Sequence, residues 1–179
     1  MNLWLKEIVP EGCQVHRLLG QAWLEDVFSV ADLVNFRPGG DCDIVLQARR
    51  VGSDVLLQSD FGLALTADCS ACLKDFPLQV KVGFSLTLRP APAKRSAVSE
   101  DQELDADDLS EFFFDGDFID LGEILREQIL LALPMYPRCS EDCRGLCPVC
   151  GADLNQGECG CERDDVDPRL IVLKSISKR

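Results

Sequence analysis

The chain has 179 residues, a formal net charge of −13 and 46% hydrophobic residues. That length suits one hydrophobic core, or a core with a small appendage, and excludes two large domains. The charge argues against binding nucleic acid by counterion release, which needs a Lys/Arg surface. Here basic residues occur only in small groups such as Arg49 with Arg50 and Lys94 with Arg95.

The negative charge is concentrated. Glu100 to Glu127 holds twelve acidic residues against one basic residue, Arg126, a balance of −11 within that window. A basic protein partner suits this distribution, and direct RNA contact is the less favoured alternative. The N-terminal Met1-Asn-Leu-Trp-Leu-Lys-Glu7 lacks the basic flank and apolar run of a secretory signal, and no stretch approaches a membrane span. A cytoplasmic protein is expected. In that reducing compartment the ten cysteines are metal ligands or buried thiols rather than a disulfide framework.

In chain order, Asn2 to Ile8 reads as a short strand, with Leu3 and Leu5 alternating against polar neighbours. From Gln21 to Phe36 the residues Trp23, Leu24, Val27, Phe28, Ala31 and Val34 form a stripe at helical spacing, broken by Pro38-Gly-Gly. From Cys42 to Leu88 the period changes to two, through Ile44, Leu46 and Ala48, then Phe61, Leu63, Leu65 and Ala67, then Leu78 to Leu88. Gly52-Ser-Asp54 and Lys74-Asp-Phe-Pro77 supply the reversals. The pattern predicts an antiparallel meander with one buried face, partly closed on itself.

Pro90-Ala-Pro-Ala-Lys ends the meander, and the acidic composition to about Ser110 predicts a mobile loop, either bait for a basic partner or a solvated insertion. Phe112-Phe-Phe114, Asp115-Gly116 and Phe118-Ile119 predict a hairpin on a primed turn, with its aromatics in the core. Asp120 with Glu123 resembles a capping box, and Leu121, Ile124, Leu125, Ile129, Ala132 and Leu133 continue a helix over about 120–133 that Pro134 stops. Asp167-Pro168 could open a last short helix through Ile176. The expected fold is α+β: a β-meander core at 1–134 with one packed helix and an acidic loop at about 90–110. A Cys-rich tail at 135–179 packs on that core as part of one structural unit.

Six cysteines lie between Cys139 and Cys161. Cys147-Pro-Val-Cys150 presents two sulfurs from a tight turn, and Gly151 behind it can take positive φ. The simplest zinc set is Cys147, Cys150, Cys159 and Cys161, with Cys143 and Cys139 as alternates, because Cys159-Gly-Cys161 is tighter than a usual knuckle. An all-cysteine site leaves no open position, so the ion would be structural. Cys69-Ser-Ala-Cys72 admits three readings: a redox pair, half of a joint site with Cys147 and Cys150, or two small buried thiols in a turn. No catalytic constellation stands out; His16 is the single histidine, and the carboxylates form a charge run.

Leu133-Pro134, Cys143-Arg-Gly-Leu-Cys147-Pro-Val-Cys150-Gly-Ala-Asp-Leu-Asn155, Cys159-Gly-Cys161 and Asp167-Pro168-Arg169 resemble the YceD family of bacterial large-ribosomal-RNA accumulation proteins. Cys69-Ser-Ala-Cys72-Leu73 is similar to the family's other hallmark, with Ala71 where the family commonly has a basic residue. The resemblance implies a non-enzymatic cytoplasmic factor needed for accumulation of large-subunit ribosomal RNA in ribosome biogenesis; the acidic segment adds the expectation of a basic ribosomal protein or pre-ribosomal particle as partner. Cys69, Cys72 and Leu73 would form a partner-binding or structural turn. A thiol redox protein using Cys69 and Cys72 and a zinc-containing RNA-binding module are the rival readings.

Overall fold

Alternation of apolar and polar residues builds the longest elements, because successive side chains of a strand face opposite sides. The computed structural model describes residues 1–30, 33, 35–91 and 111–161. It divides into two compact units: Met1–Ala67 with Asp75–Met135, and Asp68–Lys74 with Tyr136–Arg179. Most of the acidic loop expected at 90–110, and the last helix expected from Asp167, lie outside the described residues.

In the first unit, β1 (Asn2–Trp4) is followed by a 3-10 turn, β2 (Cys13–Leu19), α1 (Gln21–Val30) and β3 (Phe36–Pro38). Then come β4 (Cys42–Val51), β5 (Asp54–Asp68), β6 (Asp75–Pro90), β7 (Glu111–Phe114), β8 (Phe118–Asp120) and α2 (Leu121–Ala132). The main sheet has six strands in the open path β2-β4-β5-β6-β7, with β3 also paired to β5. Val55, Leu57, Phe61, Leu63, Leu65 and Ala67 of β5 all point to the buried face, as the period of two requires. The α+β meander expected from the sequence is therefore present, and two helices accompany it.

Three local expectations are corrected. Phe112–Phe114 and Phe118–Ile119 do not form a hairpin. β7 instead pairs parallel with β6, Leu88 opposite Phe112, while β8 pairs with β1, Ile119 opposite Leu3. The turn falls at Gly116-Asp117, with Gly116 at φ 74° and no positive φ at Asp115, and the two arms find distant partners. Of the aromatics, Phe114 is buried, whereas Phe113 and Phe118 are exposed. Within the stripe expected from Gln21 to Phe36, the helix covers Gln21–Val30 and Phe36 lies in β3 opposite Ala67, while residues 31, 32 and 34 lie outside the described residues. The strand expected at Asn2 to Ile8 stops at Trp4.

Leu121, Ile124, Leu125 and Ile129 form the buried face of α2, and Leu24, Val27 and Phe28 that of α1, at the i, i+3, i+4 spacing that aligns side chains on one side. Arg126 of α2 donates to Asp26 of α1 at 2.8 Å. Asp120 is the N-cap of α2: its side chain accepts from the Gly122 N–H at 2.8 Å and pairs with the N-terminal ammonium at 3.3 Å. Burial raises the Asp120 pKa, but the Gly122 N–H and the ammonium outweigh it, and the net shift is downward. Asp120→Ala is expected to lower stability by about 1 kcal/mol in urea unfolding, with Asp120→Asn retaining most of it. No described helix is long and apolar enough to cross a membrane.

Candidate metal centres

The described residues of the second unit bury few apolar side chains. Among its described residues only Cys69, Cys72, Pro137, Cys143, Gly145, Cys147 and Leu154 are buried, and the apolar core of the described residues lies in the first unit. A segment with so little apolar burial needs another source of folding energy, and thiolate clusters are the available one.

Eight of the cysteines form two such clusters, Cys69, Cys72, Cys139 and Cys143, and Cys147, Cys150, Cys159 and Cys161, with the sulfurs of each within 4.8 Å of one another. Either set could hold a metal ion. In the first, Cys69 Sγ lies 3.8 Å from Cys143 Sγ and Cys72 Sγ lies 3.7 Å from Cys139 Sγ. A tetrahedral ion with bonds of about 2.3 Å to sulfur sets sulfur–sulfur edges of about 3.8 Å, so the donor set fits zinc in size and chemistry.

Each cluster also separates its thiols electrostatically. Burial raises the Cys69 pKa, but the backbone N–H groups of Cys139, Cys72 and Ala71 and the Cys72 side chain outweigh it, giving about 6 against the usual 9.0. Hydrogen bonding to Cys143, then burial and the remaining sulfurs, push Cys139 to about 12. In the other cluster the N–H groups of Cys150 and Val149 and the Cys159 side chain bring Cys147 to about 6, while the Cys150 and Cys159 side chains drive Cys161 to about 12. The first thiolate of each set is favoured and the last opposed by its neighbours. A divalent cation removes that opposition.

Polar contacts tie the segments together. Cys139 N–H donates to Cys69 Sγ at 3.4 Å, and Asn155 Nδ2 donates to Cys143 Sγ at 3.5 Å. Asn155 Oδ1 accepts from Arg144 N–H at 2.8 Å, and Asp153 accepts from the Asn155 backbone at 2.9 Å. Lys74 forms an ion pair with the mostly buried Asp153 carboxylate. The Lys74 hydrogen bond, with those from Asn155, holds Asp153 at about 2 against burial. Its contribution to stability is therefore full above about 3.8 and is lost as pH falls toward about 2.

The structure brings together Cys147, Cys150, Cys159 and Cys161, the set favoured from spacing. Cys139 and Cys143 are not alternates within that set. They lie beside Cys69 and Cys72, which are buried in their turn and stand apart from Cys147 and Cys150. Leu73, directly after Cys72, has φ 59° and is 67% exposed. His16 is exposed on β2. The signal for the first cluster was present in the two-residue spacing of Cys69 and Cys72, but its partners lie far along the chain.

The sequence model of the family described as large ribosomal RNA subunit accumulation protein YceD matches residues 57–177. An uncharacterised protein of Mycobacterium tuberculosis is 29% identical over 143 residues, which cover 79% of this chain and 65% of that protein. The chloroplastic large ribosomal RNA subunit accumulation protein YCED homolog 1 of Zea mays is 28% identical over 135 residues, 64% of this chain and 46% of its own length. Its Arabidopsis thaliana namesake is 22% identical over 156 residues, 76% of this chain and 47% of its own. The chain thus spans less than two thirds of the length of these relatives. No solved structure matches.

Proposed function

The chain belongs to the YceD family, and on that premise we propose that it is a non-enzymatic cytoplasmic factor required for accumulation of large-subunit ribosomal RNA. The family match carries this reading. The factor acts as an adaptor on a basic ribosomal protein or assembly intermediate more than on naked RNA, in keeping with the net charge of −13. Zinc on Cys147, Cys150, Cys159 and Cys161 is structural, since four protein thiolates leave no position for a substrate.

A cleft of about 350 Å³ in the first unit supports the adaptor reading. Phe112, Phe113 and Phe118 line it together with Asp115, Glu123 and Glu127. Aromatic faces beside carboxylates suit a Lys/Arg-rich segment, through cation–π contact and charge pairing. The redox alternative is less well supported, because a reactive cysteine is partly exposed and Cys69 is 0% exposed. It also leaves Cys139 and Cys143 without a role beside the pair.

An affinity pull-down under ribosome-preserving salt tests the adaptor, comparing the intact chain, a chain lacking Glu100 to Ser110, and Phe113→Ala. Phe113 is 54% exposed, so its replacement should cost about 1 kcal/mol, roughly half of what a fully buried phenylalanine contributes, and leave the unit folded. Ribosomal components should be retained by the intact chain and weakened in both variants. Strong binding to free ribosomal RNA that falls steeply with salt would instead favour the RNA-binding module.

Leu73 separates the two uses of its turn. With φ 59°, Leu73→Gly should relieve about 1 kcal/mol of backbone strain and leave metal content unchanged. If Leu73 is a partner contact, the more stable variant retains less ribosomal material in the same pull-down; if the turn is only structural, retention is unchanged.

A further inference from the structure

We propose that Cys69, Cys72, Cys139 and Cys143 form a second structural zinc site, so that the chain carries two zinc ions and Asp68–Lys74 is a zinc knuckle inserted between β5 and β6.

The backbone supports this independently of the sulfur positions. In the tail, Gly151 N–H donates to Cys147 O at 2.8 Å and Cys147 N–H donates to Ala152 O at 2.8 Å. Around the earlier pair, Leu73 N–H donates to Cys69 O at 2.9 Å and Cys69 N–H donates to Lys74 O at 2.9 Å. The bonds fall at the same offsets from the first cysteine of each pair. The residue after the second cysteine is left-handed in both, Gly151 at φ 73° and Leu73 at φ 59°. Glycine adopts that conformation freely, whereas leucine is strained in it. An exposed leucine held there indicates that the turn is fixed by what its cysteines bind.

The remaining ligands come from a segment fastened to the same turn. Ser70 N–H donates to Pro137 O at 2.8 Å, just before Cys139, and Leu146 N–H donates to Ala71 O at 3.1 Å, just after Cys143. A Cβ on Gly145 would stand 2.9 Å from Ala71 O, so this approach needs glycine. Two N–H donors also reach the sulfurs, the backbone of Cys139 to Cys69 and, from outside the donor set, Asn155 Nδ2 to Cys143, as expected around thiolates that share a cation. A tetrahedral set of four thiolates takes zinc or iron, and closed coordination makes the ion structural. Three of these cysteines are buried, against one in the tail set, so this ion should leave more slowly.

Native mass spectrometry of the full chain, purified under reductant, is expected to show two zinc ions, falling to one in Cys72→Ser with Cys139→Ser. Alkylation of the unaltered chain with N-ethylmaleimide gives a second measurement that needs no variant. All eight clustered cysteines should be shielded, and a chelator should expose Cys150, Cys159 and Cys161 before Cys69, Cys72 and Cys143. One zinc in the unaltered chain with Cys69 and Cys72 labelled, iron in place of the second zinc, or a Cys69–Cys72 disulfide overturns the proposal. Labelling of the tail four alone, with Cys69 and Cys72 still shielded, would remove the tail zinc and leave this site standing.

Discussion

Stripping metal from the reduced chain is expected to unfold the second unit and leave the first folded. The asymmetry follows from what each unit buries. The first has a continuous core that includes Leu46, Leu57, Leu63, Leu88, Leu125 and Ile129, none more than 1% exposed. The described part of the second buries four cysteines but few apolar side chains, with Leu154 the largest of them. Structural zinc in small domains supplies an apparent binding energy of about 10–16 kcal/mol near neutral pH, as large as the whole stability of a typical domain. In hydrogen exchange, amides of Asp68–Lys74 and Tyr136–Cys161 should lose protection on chelation and regain it with added zinc. Amides of β4, of β5 up to Ala67 and of α2 should be unaffected. Unchanged protection in the second unit would mean that metal does not hold it.

Leu125→Ala is expected to cost the first unit about 2–5 kcal/mol, because removing a fully buried leucine forfeits its burial and leaves a cavity. Leu125 is 0% exposed on the face of α2 that also carries Leu121 and Ile129. Leu131, on the same helix, is 72% exposed, and Leu131→Ala should change stability by no more than about 0.5 kcal/mol. For a chain of this size each kcal/mol lowers Tm by about 2–4 °C, so calorimetry resolves the pair. Similar losses for both would place α2 on the core by the wrong face. Neither change touches a cysteine, so zinc content should stay constant in both.

Elements governed by local rules were legible in the sequence. The strands β4 to β6 show a period of two, broken in β5 by Leu56 and by the inward Ser59, and α2 announces itself through Asp120, an apolar stripe and Pro134. β2 was missed because its signal is broken: Val15 and Leu19 are buried, but Leu18 between them is 57% exposed and His16 and Arg17 interrupt the apolar positions. Asp115-Gly116 signalled a reversal, which falls one residue later at Gly116-Asp117, and gave a wrong pairing, since β6 and β1 take its arms from elsewhere in the chain.

The metal centres divide the same way. Cys147, Cys150, Cys159 and Cys161 are close in sequence, and spacing makes them the simplest set while leaving Cys143 and Cys139 as alternates. Cys72 and Cys139 are 67 residues apart, and only the fold shows that the tail returns to that turn. The left-handed Leu73 was also invisible, because nothing in a leucine signals positive φ. The similarity between Cys69-Ser-Ala-Cys72-Leu73 and Cys147-Pro-Val-Cys150-Gly151 lies in backbone conformation rather than in residue type.

The role in large-subunit ribosomal RNA accumulation is tested most directly by the ratio of large- to small-subunit ribosomal RNA in cells depleted of the chain, then supplied with it again. The ratio should fall on depletion and recover with the intact chain. A ratio unchanged by depletion would contradict the proposed role, whatever the metal content of the protein proves to be.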